Sequence, residues 1–130
     1  AIEIPLKQPK QALAAYKISK RIEDDISAAC AEFNVPLEDG KVQAITSGFG
    51  GVAAVPSTCE ALENALKGKQ FASKECLTLG KQILFDAFAP IDDVRATAQY
   101  RKTVLANLWH RFWLENQSTN NIETRVVQHA

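Results

Sequence analysis

Residues 97–115 read TAQYRKTVLANLWHRFWLE, and within them Leu105, Leu108, Trp109, Phe112 and Trp113 recur at i, i+3, i+4, i+7 and i+8. That spacing lays a wide apolar stripe along one side of an α-helix. Such a stripe has to cover something, and the residues before it are strand-like. ISAACAEFNV (26–35) alternates weakly up to Pro36, and Asp39-Gly40 then supplies a turn pair suited to a hairpin. KVQAITSGF (41–49) is the return strand, with Val42, Ala44 and Thr46 on one face and Gln43, Ile45 and Ser47 on the other. GGVAAVP (50–56) adds a third short strand. Strands first and helices after make an α+β domain rather than a doubly wound one: a small three-stranded antiparallel sheet, packed against about three helices, with the long aromatic helix as its cover.

Two further helices fill the interval. Ser57-Thr58-Cys59-Glu60 has the S-x-x-E form of a capping box, and Ala61, Leu62, Ala65 and Leu66 continue one apolar face until Gly68 ends it. Ser73 caps a second helix, with Glu75 in its first turn and Leu77, Ile83 and Leu84 facing inward. Pro90 and Asp92-Asp93 mark the break before the third. There, Asp93 or Thr97 caps the helix, while Arg95 and Arg101 tie the preceding loop to it. Residues 1–10, with two prolines, read as a linker or extended lead-in, and residues 117–130 as a polar tail, frayed or disordered. The domain proper spans 11–116.

At 130 residues, with 46% hydrophobic and 23% charged residues, the chain has the size and composition of one globular domain. No apolar run approaches the roughly 20 residues a membrane helix needs. Fifteen basic and fifteen acidic residues cancel, so nothing supports nucleic-acid binding by bulk charge. Cys30, Cys59 and Cys76 show no C-x-x-C spacing and read as buried free thiols of a reducing, cytoplasmic compartment. His110 and His129 are too few for a zinc or di-iron site. The start, Ala1-Ile-Glu-Ile-Pro, shows no signal peptide, and the absence of any methionine points to a piece of something longer.

Motifs for catalysis are sparse. Gly48-Phe49-Gly50-Gly51 lacks the spacing of a phosphate loop and reads as a bulge or tight strand connection. The densest functional-looking stretch is Tyr16-Lys17-Ile18-Ser19-Lys20-Arg21-Ile22-Glu23-Asp24-Asp25, three cations followed by three anions just before the first strand. On charge alone this is a solvated turn with weak ion pairs. A sharper reading has it positioning an anionic or electron-rich ligand, with Lys17 or Lys20 as donor and the carboxylates tuning the local potential.

Three segments carry a resemblance. AYKISKRIEDDISAAC (15–30) resembles the K-x-S-R-R-x-D-D-I-A segment of xanthine dehydrogenases, and FGGVAAVPSTCEALENAL (49–66) is similar to their F-G-G-M-A-x-x-P stretch and following helix. PIDDVRATAQYRKTVLANLWHRF (90–112) looks like the P-[LI]-x-D-x-R-[AG]-S-A-x-Y-R signature of the carbon monoxide dehydrogenase flavoprotein C-terminal domain. Order and spacing hold over residues 10–115. Glu23-Asp24-Asp25-Ile26 favours the xanthine dehydrogenase branch, since carbon monoxide dehydrogenase relatives more often carry Gly-Asp there. Lys20 stands where arginine is usual, keeping the charge without the bidentate fork. Val52 replaces a usual methionine and Thr97 a usual serine.

The resemblance implies the C-terminal domain of the flavin subunit of a bacterial xanthine dehydrogenase. In that family electrons from purine (xanthine or hypoxanthine) oxidation at a molybdopterin-bound molybdenum cofactor pass through 2Fe-2S clusters to FAD and then to NAD. The implied partners are the FAD-binding and 2Fe-2S domains of the same parent and the molybdenum-cofactor subunit. By position, Lys17 would contact the flavin, where a cation favours the reduced, anionic ring. Asp24 would lie on its nicotinamide side, and Arg21 would belong to the charged surroundings that hold the loop. A second class of function stays open: a stand-alone, non-catalytic binding or assembly module that keeps the fold without the flavin.

Overall fold

The computed structural model describes residues 1–21, 26–119, 122 and 124. Four strands come first, β1 (Gln11–Ile18), β2 (Ala29–Glu38), β3 (Lys41–Val42) and β4 (Thr46–Gly50), followed by α1 (Glu60–Leu66), α2 (Lys74–Asp86) and α3 (Ala98–Glu115). β2 is central: β1 pairs with it along one edge and β3 and β4 along the other, all antiparallel. The α+β order expected from the sequence is therefore present, but its strands differ in detail.

β1 was expected to be lead-in and charged turn. Its sequence, QALAAYKI, is alanine-rich, and alanine has little strand preference of its own. It becomes a strand through eight consecutive pairings with β2. Residues 51–55 are not the expected third strand. After Phe49 the chain turns, and only Ser57 returns to pair with Phe49, through two backbone hydrogen bonds of 2.8 and 3.0 Å.

The hairpin at Asp39-Gly40 forms as expected, with φ of 50° and 75°, the positive pair that a tight primed turn requires. Beyond it the register slips by one: Leu37 faces Val42, but Asn34 faces Thr46. Two residues of β2 thus lie opposite three of the return strand, a β-bulge. The bulge overturns the expected faces. Val42 is buried together with Ile45, Ser47 and Phe49, while Ala44 and Thr46 are exposed.

The core lies between the sheet and α3. Phe33, at the middle of β2, places its ring centroid 5.1 Å from Phe112, 5.3 Å from Trp109 and 5.7 Å from Phe49. Leu105 and Leu108 complete the buried stripe, whereas Trp113 is half-buried and donates its indole N–H to Phe71 O at 2.7 Å. α2 backs α3 through Gly80. A Cβ there would lie 2.2 Å from Trp109 Nε1, so the indole occupies the space of the missing side chain.

The caps follow the sequence in two helices of three. Ser73 Oγ accepts from Cys76 N and Thr97 Oγ1 from Tyr100 N. The expected capping box at α1 is absent. The buried Ser47 hydroxyl replaces it, accepting from Cys59 N at 3.3 Å and donating to Glu63 Oε1 at 3.0 Å.

Arg101, in the first turn of α3, is 3% exposed. Its Nη1 donates to Ala28 O at 2.6 Å and to Gly51 O, and its Nη2 meets Asp93 Oδ1 at 2.6 Å. The chain entering β2, the chain leaving β4 and the loop before α3 are thereby held on one guanidinium. Asp93 also accepts from Arg95 N at 2.8 Å and Ala96 N at 3.0 Å. Those two backbone donors, followed by Arg101, hold its carboxyl down at about 2.

Two outcomes follow from this packing. Alanine normally stabilises a helix interior over glycine by about 0.5–1 kcal/mol. Gly80→Ala is instead expected to lower the urea midpoint, by overpacking of about 1–3 kcal/mol; a raised midpoint would show that α2 and α3 part freely. Because the folded-state pKa of Asp93 is depressed, its contribution is present above about pH 4 and is lost as pH falls towards 2. Asp93→Asn should reduce stability at neutral pH and flatten the unfolding profile across that window, so identical acid profiles for the two proteins would overturn the ion-pair assignment.

Candidate functional site

The helices cover one face of the sheet and leave the other open. Strand alternation puts Leu13, Ala15 and Lys17 of β1 on the open face, with Cys30, Glu32 and Asn34 of β2 and Gly48 and Gly50 of β4. The pairing aligns them in rows across the sheet. Lys17 faces Cys30, which faces Gly50; Ala15 faces Glu32, which faces Gly48. A shallow depression of about 430 Å³ lies over these rows, and Pro56 closes one side of it.

Its floor is almost bare of side chains. A Cβ on Gly48 would meet nothing within 4 Å, and one on Gly50 would rest 3.6 Å from Cys30 Cβ. Alanine, cysteine and two glycines form a flat, mostly apolar surface, with the ammonium of Lys17 and the carboxylate of Glu32 diagonally opposed across the strands. Such a surface suits the face of a planar ring system, and Lys17 supplies a cation to an electron-rich edge of it.

Of the sequence-derived candidates, Lys17 is an exposed residue lining this depression. Arg21 is exposed in the turn that leaves β1, where Ser19 Oγ donates to its carbonyl oxygen at 2.5 Å. Asp24 lies outside the described residues. Lys20, the other cation of this stretch, donates to Val94 O at 3.1 Å and so joins the turn to the loop before α3. The sequence singled out Gly48 and Gly50 only as a bulge or tight strand connection, not as a floor shared with Ala15 and Cys30. Its only signal is alternation away from Lys17, which becomes readable once the pairing register is known.

Behind the depression, the hydroxyl of Tyr16 donates to Glu115 at the end of α3, and the Arg111 guanidinium sits 4.9 Å from the Tyr16 ring centroid. Burial, then the hydrogen bond to Glu115, pushes the Tyr16 phenol well above its ordinary range. Burial alone would raise the Glu115 carboxyl, but hydrogen bonds from Thr124, Tyr16 and Arg111 outweigh it and hold the group ionised. The cysteines divide. Burial pushes Cys76 up to about 11 and raises Cys59, leaving both as core thiols. Cys30 is half-buried in the floor. Among the described residues no three His, Cys, Asp or Glu side chains cluster as metal ligands, and no helix is long and apolar enough to cross a membrane.

Known proteins share the sequence and the fold of this chain. The family described as the CO dehydrogenase flavoprotein C-terminal domain matches residues 14–116. A nicotinate hydroxylase of Emericella nidulans is 32% identical over 117 residues, covering 87% of this chain and 9% of that protein. A xanthine dehydrogenase of Dictyostelium discoideum is 26% identical over 130 residues, covering 88% of this chain and again 9% of the relative. Among solved structures, CO dehydrogenase from Oligotropha carboxidovorans superposes with a TM-score of 0.72 at 25% identity, over 83% of this chain and 37% of that one. Quinoline 2-oxidoreductase from Pseudomonas putida, at 15% identity and a TM-score of 0.70, shares the fold. The chain thus spans under a tenth of the curated relatives' length and little over a third of the solved chains. On the match over residues 14–116, the chain belongs to the CO dehydrogenase flavoprotein C-terminal domain family.

Proposed function

We propose that this chain is the C-terminal domain of the flavoprotein part of a molybdenum hydroxylase of the xanthine dehydrogenase type, where it closes over FAD. The observation that carries the reading is Lys17 at the edge of a flat, small-residue floor on the open face of the sheet. The residues present fit the group: Ala15, Gly48, Cys30 and Gly50 leave room for a ring to lie flat beside the Glu32 carboxylate. Bound FAD supplies the relay that accepts electrons from iron–sulfur centres elsewhere in the parent and passes them to NAD.

The chain's own residues bind and tune. The floor excludes water from one face of the ring, and the Lys17 ammonium raises the ring's reduction potential. Arg21, in the turn after β1, belongs to the charged surroundings of the ring, and the resemblance in sequence adds Asp24 on the nicotinamide side. The loops at this end of the sheet carry exposed apolar residues, Ile26, Val55, Ile91 and Val94, each more than 60% exposed. They suit burial against the flavin-bearing domain of the same parent chain. The molybdenum cofactor and the 2Fe-2S clusters belong to other parts of the assembly.

For the substrate we favour a purine such as xanthine or hypoxanthine, on the Glu23-Asp24-Asp25-Ile26 form. The 32% identity to a nicotinate hydroxylase supports a second reading, another nitrogen heterocycle.

Isolation of the native protein with an antibody to this sequence decides the assignment. A polypeptide several times longer, with flavin and iron–sulfur absorbance and NAD reduction driven by xanthine, is the expected result. A colourless species of 14.3 kDa would leave a stand-alone module of the same fold. In the parent, Lys17→Ala should speed FAD loss and lower the flavin potential, while Gly48→Leu should weaken FAD retention without lowering thermal stability. Flavin content and potential unchanged in both variants would sink the flavin reading.

A further inference from the structure

The Lys17–Cys30–Gly50 row owes its position to a residue on the other side of the sheet. Ala28 lies two residues before Cys30, and Gly51 immediately follows Gly50. The carbonyls of both converge on Arg101 Nη1, which is buried beneath them. Ala28 N in turn donates to Ile18 O at 2.8 Å, next to Lys17. The ends of β2 and β4 therefore meet at one nitrogen, and β1 joins them through Ala28. Gly51 makes the meeting possible. Its φ is 76°, and a Cβ there would lie 2.7 Å from Ala28 O and 3.3 Å from Arg101 Nη1.

We infer that Arg101 is a positioning residue for the flavin-facing row: by bridging the carbonyls of Ala28 and Gly51 it fixes how closely Lys17, Cys30 and Gly50 stand to one another. Asp93 holds the guanidinium in the orientation that presents Nη1 to both carbonyls, since it occupies Nη2. Arg101 touches neither the depression nor anything in it, and acts through backbone alone. Lysine at 101 keeps the cation but has no planar fork with which to serve Asp93 and two carbonyls together. The role toward the flavin rests on the function proposed above, whereas the role toward the strand ends does not.

Arg101→Lys in the full-length flavoprotein tests both. Hydrogen exchange at the Cys30 and Gly50 amides is expected to rise about tenfold or more, the equivalent of one lost charge-assisted hydrogen bond. The Phe33 and Trp109 amides should keep their protection, and FAD should dissociate faster with a shifted midpoint potential. Gly51→Ala reaches the same joint from the other side, keeps Arg101 intact and should reproduce the local exchange pattern, so a folding defect peculiar to one variant does not decide the matter. Exchange that is unchanged, or that rises evenly across the core in both variants, overturns the positioning role. Unaltered FAD release in Arg101→Lys alongside faster release in Lys17→Ala overturns its reach to the flavin. Unaltered release in both overturns the flavin reading itself, while the exchange data still report on the strand ends.

Discussion

One ring organises this domain. Phe33 is fully buried at the centre of the central strand, and its centroid lies within 6.4 Å of those of Tyr16, Phe49, Trp109 and Phe112. These four come from β1, β4 and two successive turns of α3, so a single side chain joins both outer strands to the covering helix. The pairs adopt tilted or edge-on geometries, which the quadrupoles of aromatic rings favour. The surface proposed to face the flavin lies on the reverse of the same sheet. Phe33 and Val35 point to the helices, so Cys30, Glu32 and Asn34 must point away, and the open face is the unavoidable complement of the core.

Much of this architecture is legible in residue order. The period of Leu105, Leu108, Trp109 and Phe112 survives in the structure, as do the Ser73 and Thr97 caps, because helix period and cap chemistry are local properties. What was not legible depends on partners distant in sequence. β1 is a strand because β2 lies beside it, and alanines alone do not announce that. The faces of residues 41–49 reversed at a bulge, which a strict two-residue period cannot anticipate. At α1 a short-range capping pattern lost to Ser47, a residue of the preceding strand, twelve positions before Cys59.

The site shows the same division. Lys17 was reachable through a motif, whereas the floor beside it consists of residues notable for having little side chain at all. Glycine and alanine carry no chemical signal, so their grouping emerges only when the register sets Ala15 across from Glu32 and Gly48. Arg101 falls between the two cases. Its tie to the loop before α3 could be read from Asp93, but its grip on the carbonyls of Ala28 and Gly51 spans 73 and 50 residues and belongs to the folded molecule alone.

The tie between Tyr16 and Glu115 also bears on how the domain comes into being. The two residues are 99 positions apart, so at about 5–20 residues per second the ribosome needs roughly 5–20 s to deliver the second after the first. Through that interval the strands are available to pair, while Trp109 and Phe112, which roof them, have yet to be made. A nascent chain paused there shows the surroundings an apolar sheet face with Phe33 at its centre. Translation speed across α1 and α2 therefore sets how long this domain is exposed to chaperones, and to neighbouring copies of itself, before it can close.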